Sequence, residues 1–282
     1  MSVDQGDALN SLSLSESDIK AGLQSLEPDI PWAHYFDLGH GIETVTPAEE
    51  KFYKKAVGLK KLADLLIDVL PRHSRRGSLE GLRVLDLASA EGGHSIALAR
   101  AGANVLGVEG RQLYVDRATF AAKALGSSTA RFEQGDVRKL TADQIGTFEF
   151  VLFSGILHHL GRQDFEGMLA TLSTLVEDTL FIYTHVSTPA SIKRFNLQGP
   201  VKTDEGGYEG YLFREHKDNA SDEERKRKVR ASLDNTFSFW ASEYCLVKAL
   251  KSVGFTCISK LLHPHLFGWE EASYRVMLIA RK

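Results

Sequence analysis

The chain has 282 residues, 43% hydrophobic and 25% charged, with a formal net charge of -3 at pH 7. That length buries a core as one large domain or a core domain with a cap, and the near-neutral balance lacks the clustered positive charge that marks nucleic-acid binders. Its two cysteines, Cys245 and Cys257, are too few for a disulfide framework and lack metal-ligand spacing.

The chain opens on a Ser-rich, weakly apolar dozen residues that reads as disordered and lacks the basic and apolar regions of a signal peptide. With no apolar run of membrane-spanning length, cytoplasm is the expected location. A short amphipathic helix follows Ser15, with Ile19, Leu23 and Leu26 at helical spacing. An aromatic, glycine-rich loop comes next, Ile30 to Gly41. Thr46-Pro47-Ala48-Glu49 then has the composition of a helix start, and the helix is expected to run to Leu70, with Pro71 as its stop.

From Gly81 the pattern changes to short β-branched runs alternating with helical ones. Strands are expected at Arg83–Leu87, Asn104–Val108, Ala130–Gln134, Phe148–Phe153 and Thr179–Thr184, with helices centred on Ala97, Ala121 and Leu169. Such alternation predicts an α/β fold with a parallel sheet covered by helices on both faces. It breaks between Ser187 and Trp240, which reads as an insertion after the fifth strand, including a charged helix from Ser221 with Glu224 three residues on. A helix at Ser242–Val253 and strands at Phe255–Leu262 and Tyr274–Ala280 complete the sheet. The expected division is a cap over residues 1–80, a cofactor-binding core over 81–186, a substrate-covering insertion over 187–240 and a completing segment over 241–282.

Val84 to Ser95 carries the strongest signal: a buried strand ending in small residues and passing directly into a helix, with the sequence Asp86-Leu87-Ala88-Ser89-Ala90-Glu91-Gly92-Gly93. Small side chains let the backbone approach a ligand, and free N–H groups at a helix start face its polar groups. Glu109 ends the second strand roughly 20 residues further on, placed to accept hydrogen bonds from ribose hydroxyls. Asp136 closes the third strand, where a carboxylate can meet an adenine amino group. The rival is a dinucleotide-binding dehydrogenase. Ala88 and Ala90 stand where its G-x-G-x-x-G loop needs glycine to turn around a pyrophosphate.

These motifs resemble the class I S-adenosylmethionine-dependent methyltransferases, in detail over about Arg83–Leu160 and in layout to Lys282. The resemblance implies a Rossmann-like seven-stranded, mostly parallel sheet with the last strand antiparallel, an N-terminal helical cap, and S-adenosylmethionine as cofactor. Its expected contacts are Asp86, Ala88, Ser89, Glu91, Gly92, Gly93, Glu109, Gly110, Asp136, Val137 and Ser154. A narrower resemblance, carried by Trp32 to Gly39, Gly155 to Leu160 and Phe239-Trp240, is to the tRNA wobble-uridine carboxymethyltransferases and their small-molecule relatives. The tRNA enzymes hold a carboxylated cofactor with a tyrosine; this chain has His158 there, which points to ordinary S-adenosylmethionine.

Methyl transfer from a sulfonium needs alignment and, for a hydroxyl, a base. His158 and His159 after the fourth strand and His185 after the fifth are the candidate catalytic residues. Trp32, His34, Tyr35, Arg194, Tyr208, Tyr211 and Trp240 are candidates to bind substrate, each with a packing role as its alternative. No metal motif is present. The basic run Arg225-Lys226-Arg227-Lys228 follows Asp222-Glu223-Glu224, an order that favours a solvated, internally paired helix over an RNA-binding face. The expected activity is O-methylation of a small biosynthetic metabolite. Carbon or nitrogen methylation, tRNA modification and a non-catalytic scaffold are the alternatives.

Overall fold

A computed structural model describes residues 14–228, 230–262 and 272–282. The Ser-rich start and the His263-Pro264-His265 loop lie outside them. Before the sheet come α1 (Glu16–Ser25) and α2 (Glu50–His73), the latter after a single 3-10 turn at Pro47–Glu49. Ser15 caps α1 by accepting from the Asp18 N–H at 3.2 Å. Pro71 does not stop α2, which continues to His73. Proline removes only its own N–H from the ladder, and the Ser74 N–H still reaches the Leu70 carbonyl at 2.9 Å.

The core alternates as expected: β1 (Arg83–Leu87), α3 (Gly93–Arg100), β2 (Asn104–Glu109), α4 (Gln112–Ala124), β3 (Ala130–Gln134), α5 (Ala142–Ile145), β4 (Phe148–Ser154), α6 (Phe165–Leu175) and β5 (Val176–His185). After the insertion come α9 (Glu243–Ser252), β9 (Cys257–Leu261) and β10 (Arg275–Arg281). Among the described residues one sheet has seven strands in the order β3-β2-β1-β4-β5-β10-β9. β1 to β5 run parallel, and β10 lies antiparallel between β5 and β9.

Both faces of the sheet are covered, which is why its strands read as continuous apolar runs. In β4, Phe150 and Leu152 pack against the N-terminal segment, α2, α3 and α4, while Val151 and Phe153 pack against α6 and α9. Parallel strands direct all their carboxyl ends to one edge, where the order reverses between β1 and β4. That edge holds the site.

The insertion has more structure than its sequence suggests. It folds as α7 (Pro189–Phe195), β6 (Gln198–Lys202), β7 (Glu209–Arg214), α8 (Asp222–Arg227) and β8 (Phe237–Ala241), with the three strands forming an antiparallel sheet of their own. Ser221 and Glu224 form a reciprocal capping box at the start of α8. β8 is tied back to the core where the Phe239 N–H meets the Leu160 carbonyl at 2.8 Å.

Candidate functional site

A cavity of about 760 Å³ opens along the carboxyl edge of the sheet. At one end its wall is made by the loop after β1 (Ala88, Ser89, Ala90), the end of β2 (Glu109, Gly110, Arg111) and the end of β3 (Gln134 to Arg138). Ser154 to Ile156 after β4 line its middle. His159, Leu160, Tyr183, His185 and Arg275 line the other end. His34 and Lys55 from the N-terminal segment and Arg230 to Asp234 from the insertion also line it.

The β1 loop turns through three left-handed residues, Ala88 (φ 57°), Ala90 (φ 48°) and Gly92 (φ 76°). An L-residue there costs about 1–2 kcal/mol, so the two alanines hold strain in the loop. The Glu109 carboxylate stabilises the turn, accepting from the Ala90 N–H at 3.0 Å and the Arg111 N–H at 2.9 Å. Burial raises its pKa above the usual carboxylate range. Asp86 lies beneath the loop, takes the Ser95 hydroxyl at 2.6 Å, and is pushed up to about 7 by burial.

Asp136 accepts from the Arg138 N–H at 3.0 Å and from its guanidinium at 2.9 Å, and the guanidinium lowers its pKa. Arg138 also reaches Asp234 at 2.7 Å. Arg111 donates to the Lys228 and Ala231 carbonyls at 3.2 and 3.1 Å. A Cβ on Gly110 would lie 2.7 Å from Leu233, so this residue of the insertion sits close over this end.

Beside the β1 loop, Ser89 Oγ, His34 Nδ1 and His94 Nε2 are buried without a hydrogen-bond partner, the His34 nitrogen standing 3.8 Å from Glu91 Oε2. A buried polar group without a partner costs roughly 1–3 kcal/mol. These atoms could hold the polar amino-acid end of a cofactor, with Glu109 placed to receive ribose hydroxyls. Burial holds His34 down to about 3 and His94 to about 4, so both present neutral imidazoles.

Glu91, Gly92, Gly93 and Asp86 do not line the cavity, contrary to their expected cofactor contact. Glu91 faces the N-terminal segment: its Oε2 accepts from the Ala33 and His34 N–H groups at 2.7 and 2.8 Å, and its Oε1 from Arg117 at 2.8 Å. Arg117 is itself fully buried and donates to the carbonyls of Leu26, Glu27, Ile30 and Pro31. The pair pins the aromatic loop to the core. Gly93 is small because His34 crosses it; a Cβ there would lie 2.5 Å from the ring.

The expected substrate contacts divide. His34 is on the wall, but Trp32 packs under the Arg117 guanidinium at 4.8 Å, and the Tyr35 hydroxyl donates to Glu43 at 2.7 Å. Arg194 lies over the Phe195 and Tyr274 rings, and the Tyr208 hydroxyl pairs with Ser252 at 2.9 Å. Tyr211 sits in β7 opposite Trp240, which is buried behind the wall with its ring 4.5 Å from that of His185. None of these except His34 lines the cavity.

The three candidate histidines meet at the far end. The His158 ring centroid is 4.3 Å from that of His159 and 4.1 Å from that of His185. His158 is off the wall; its Nδ1 stands 3.2 Å from the Thr184 hydroxyl and 3.4 Å from the His185 N–H, and burial drives its pKa well down. His185 is on the wall with both ring nitrogens unpartnered, held to about 2 by burial and the Arg275 charge. His159 is also on the wall and alone of the three carries a carboxylate, with Nδ1 2.7 Å from Glu215 Oε1. Sequence reading missed Glu215 because nothing local marks a residue in β-rich insertion as the partner of one after β4. It also missed Lys55, Tyr183, Arg275 and the Arg230–Asp234 stretch. His94, inside the loop motif, was the one with a visible signal: a helix-start residue facing the ligand.

Residues 84–179 match a family described as a methyltransferase domain. The chain is 34% identical over 109 residues to the ubiquinone biosynthesis O-methyltransferase of Rhizobium rhizogenes (strain K84 / ATCC BAA-868), a match covering 37% of this chain and 41% of the relative. It therefore spans about two fifths of that curated relative's length. Among solved structures it resembles the N-terminal domain of EvdMO1 with SAH bound (TM-score 0.71, 22% identity, 96% of this chain and 99% of that one). It also resembles the magnesium protoporphyrin IX methyltransferase (ChlM) of Synechocystis PCC 6803 with SAH bound (TM-score 0.55, 19% identity, 94% and 95%). The fold is the class I methyltransferase fold, and both of these structures hold SAH.

Proposed function

We propose that this chain, which carries a methyltransferase domain on the class I S-adenosylmethionine-dependent fold, methylates a hydroxyl oxygen of a small-molecule acceptor, with His159 as base. The observation that carries the proposal is the single cavity joining the Glu109 end to the His159 end. Its volume suits a cofactor with a small acceptor better than a polymer. The similarity to an O-methyltransferase of ubiquinone biosynthesis supports oxygen as the acceptor atom.

When bound, S-adenosylmethionine supplies an activated methyl group on a positively charged sulfur. The chain's own residues have three tasks. Glu109 and the orphaned atoms of Ser89, His34 and His94 would orient the cofactor, so that displacement becomes a matter of alignment. Ala231 and Leu233 of the insertion would exclude water from that end. A base would take the acceptor's proton. Of the three histidines, His158 does not line the cavity and burial holds His185 neutral, while His159 lines it with a carboxylate on Nδ1.

The test offers the protein S-adenosylmethionine with a labelled methyl group, a panel of hydroxylated small molecules, matched amines and thiols, and bulk tRNA. Label on a hydroxyl of a small molecule supports the proposal. Label on tRNA alone, or on amines alone, overturns it.

A further inference from the structure

We infer that Glu215, supplied by the insertion, is the positioning residue for the base. It fixes His159 in the tautomer with hydrogen on Nδ1, so that Nε2 is the proton acceptor. The inference deepens the O-methylation reading and rests on it.

The geometry is specific. Glu215 belongs to the loop that follows β7 and is buried at 6% exposure. Its Oε1 lies 2.7 Å from His159 Nδ1 and accepts the Ser238 hydroxyl at 2.9 Å. Its Oε2 takes the Ser232 N–H at 3.4 Å. The two serine donors converge on one carboxylate, as a buried acceptor requires. A carboxylate only accepts, so the hydrogen of the His159–Glu215 bond sits on Nδ1. The other ring nitrogen, Nε2, is then bare and able to take a proton from a ligand in the cavity that His159 lines. A histidine oriented by a carboxylate behind it is the arrangement in which the imidazolium formed during reaction is stabilised where it arises.

His159 is held from the other side as well. The Asn235 side chain donates to its carbonyl at 3.1 Å, and the neighbouring His158 carbonyl accepts from Trp240 Nε1 at 3.0 Å. Both partners come from the insertion. Ser232, which donates to Glu215, also lines the cavity beside Leu233 and Asp234. The stretch over the cofactor end and the orientation of the base thus share one carboxylate.

The step balances without a further reactant. The acceptor O–H bond breaks with its proton going to His159 Nε2. The oxygen's electron pair forms the new O–C bond. The methyl C–S bond breaks, and its pair stays on sulfur, which becomes neutral. His159 is left as an imidazolium against Glu215 and returns its proton to solvent after product leaves.

The test is nitrogen NMR of the imidazole side chains in the full chain at pH 8, with and without S-adenosylhomocysteine. His159 is assigned by the signal lost in His159→Gln. The expected spectrum shows hydrogen on Nδ1 and a bare Nε2. In Glu215→Ala that signature is lost in favour of the Nε2–H form that free histidine side chains prefer. A wild-type spectrum with hydrogen on Nε2 overturns the inference, even if the variant fails to fold. So does a Glu215→Ala spectrum that keeps the Nδ1–H form. The cofactor reading fails separately, if the wild type binds no S-adenosylhomocysteine in calorimetry while the tautomer stands.

Discussion

The two ends of the cavity are built differently. The cofactor end comes from consecutive strand ends, β1, β2 and β3, each followed directly by a loop that turns over the sheet edge. The end proposed for the acceptor is assembled from the loop after β4, the end of β5 and the start of β10, while the N-terminal segment and the insertion close over both ends. Local sequence determines the first. Distant segments, brought together only by tertiary packing, determine the second. A fold can therefore keep one cofactor while its substrate wall varies, since the two walls share few residues.

The largest expected effect breaks the attachment of the distant segments. Arg117→Met leaves Glu91 buried with no cation and frees four carbonyls of the N-terminal segment; removing one partner of such a pair costs about 3–5 kcal/mol. Urea unfolding should show that loss. A change under about 1 kcal/mol would mean that the aromatic loop is held by packing alone.

Next in size, His159→Gln should lower turnover at saturating acceptor by about 100-fold or more, with S-adenosylhomocysteine affinity unchanged. Loss of cofactor affinity instead would erase the division between the two ends.

Stability should also fall at acid pH. His34, His94 and His185 are neutral in the folded chain, at about 3, about 4 and about 2, but protonate near 6.5 when unfolded. The unfolded state binds more protons, so their contribution is complete above pH 6.5 and is lost as pH falls toward the folded values. At pH 5 each costs about 2 kcal/mol. Asp86, raised to about 7, works the other way: its contribution is full below its unfolded value of 3.8 and lost as pH rises to 7. His158, lowered by burial, adds to the histidines, and Glu91 and Glu109, raised by burial, add to Asp86; the histidines are the more numerous. Urea midpoints at pH 7.5 and pH 5 check the sign, and His94→Gln should flatten the slope.

The smallest effect is at the cofactor end. Ala88→Gly and Ala90→Gly should each stabilise by about 1 kcal/mol, because glycine takes the left-handed conformation without strain. Destabilisation in thermal melts would show that the methyl groups pack too well to lose.

Sequence reading reached the fold through the alternation from Gly81 onward and through the loop between β1 and α3. Glu109 and Asp136 were visible because position after a parallel strand fixes where a side chain stands. Glu91 was visible but misassigned: its spacing puts it in the loop, yet its side chain turns outward to Arg117, a residue 26 positions away on α4. The insertion's sheet was hidden by two features, glycines at 199, 206, 207 and 210 and strands of five or six residues. Glu215 could be placed only once β7 and β8 had paired.

The most direct test of the account is calorimetric titration of wild type and Glu109→Ala with S-adenosylmethionine and with NADH. Saturable binding of S-adenosylmethionine alone, weakened in Glu109→Ala, is the predicted result. Binding of NADH alone, or equal S-adenosylmethionine affinity in both proteins, would contradict the assignment of the cofactor end.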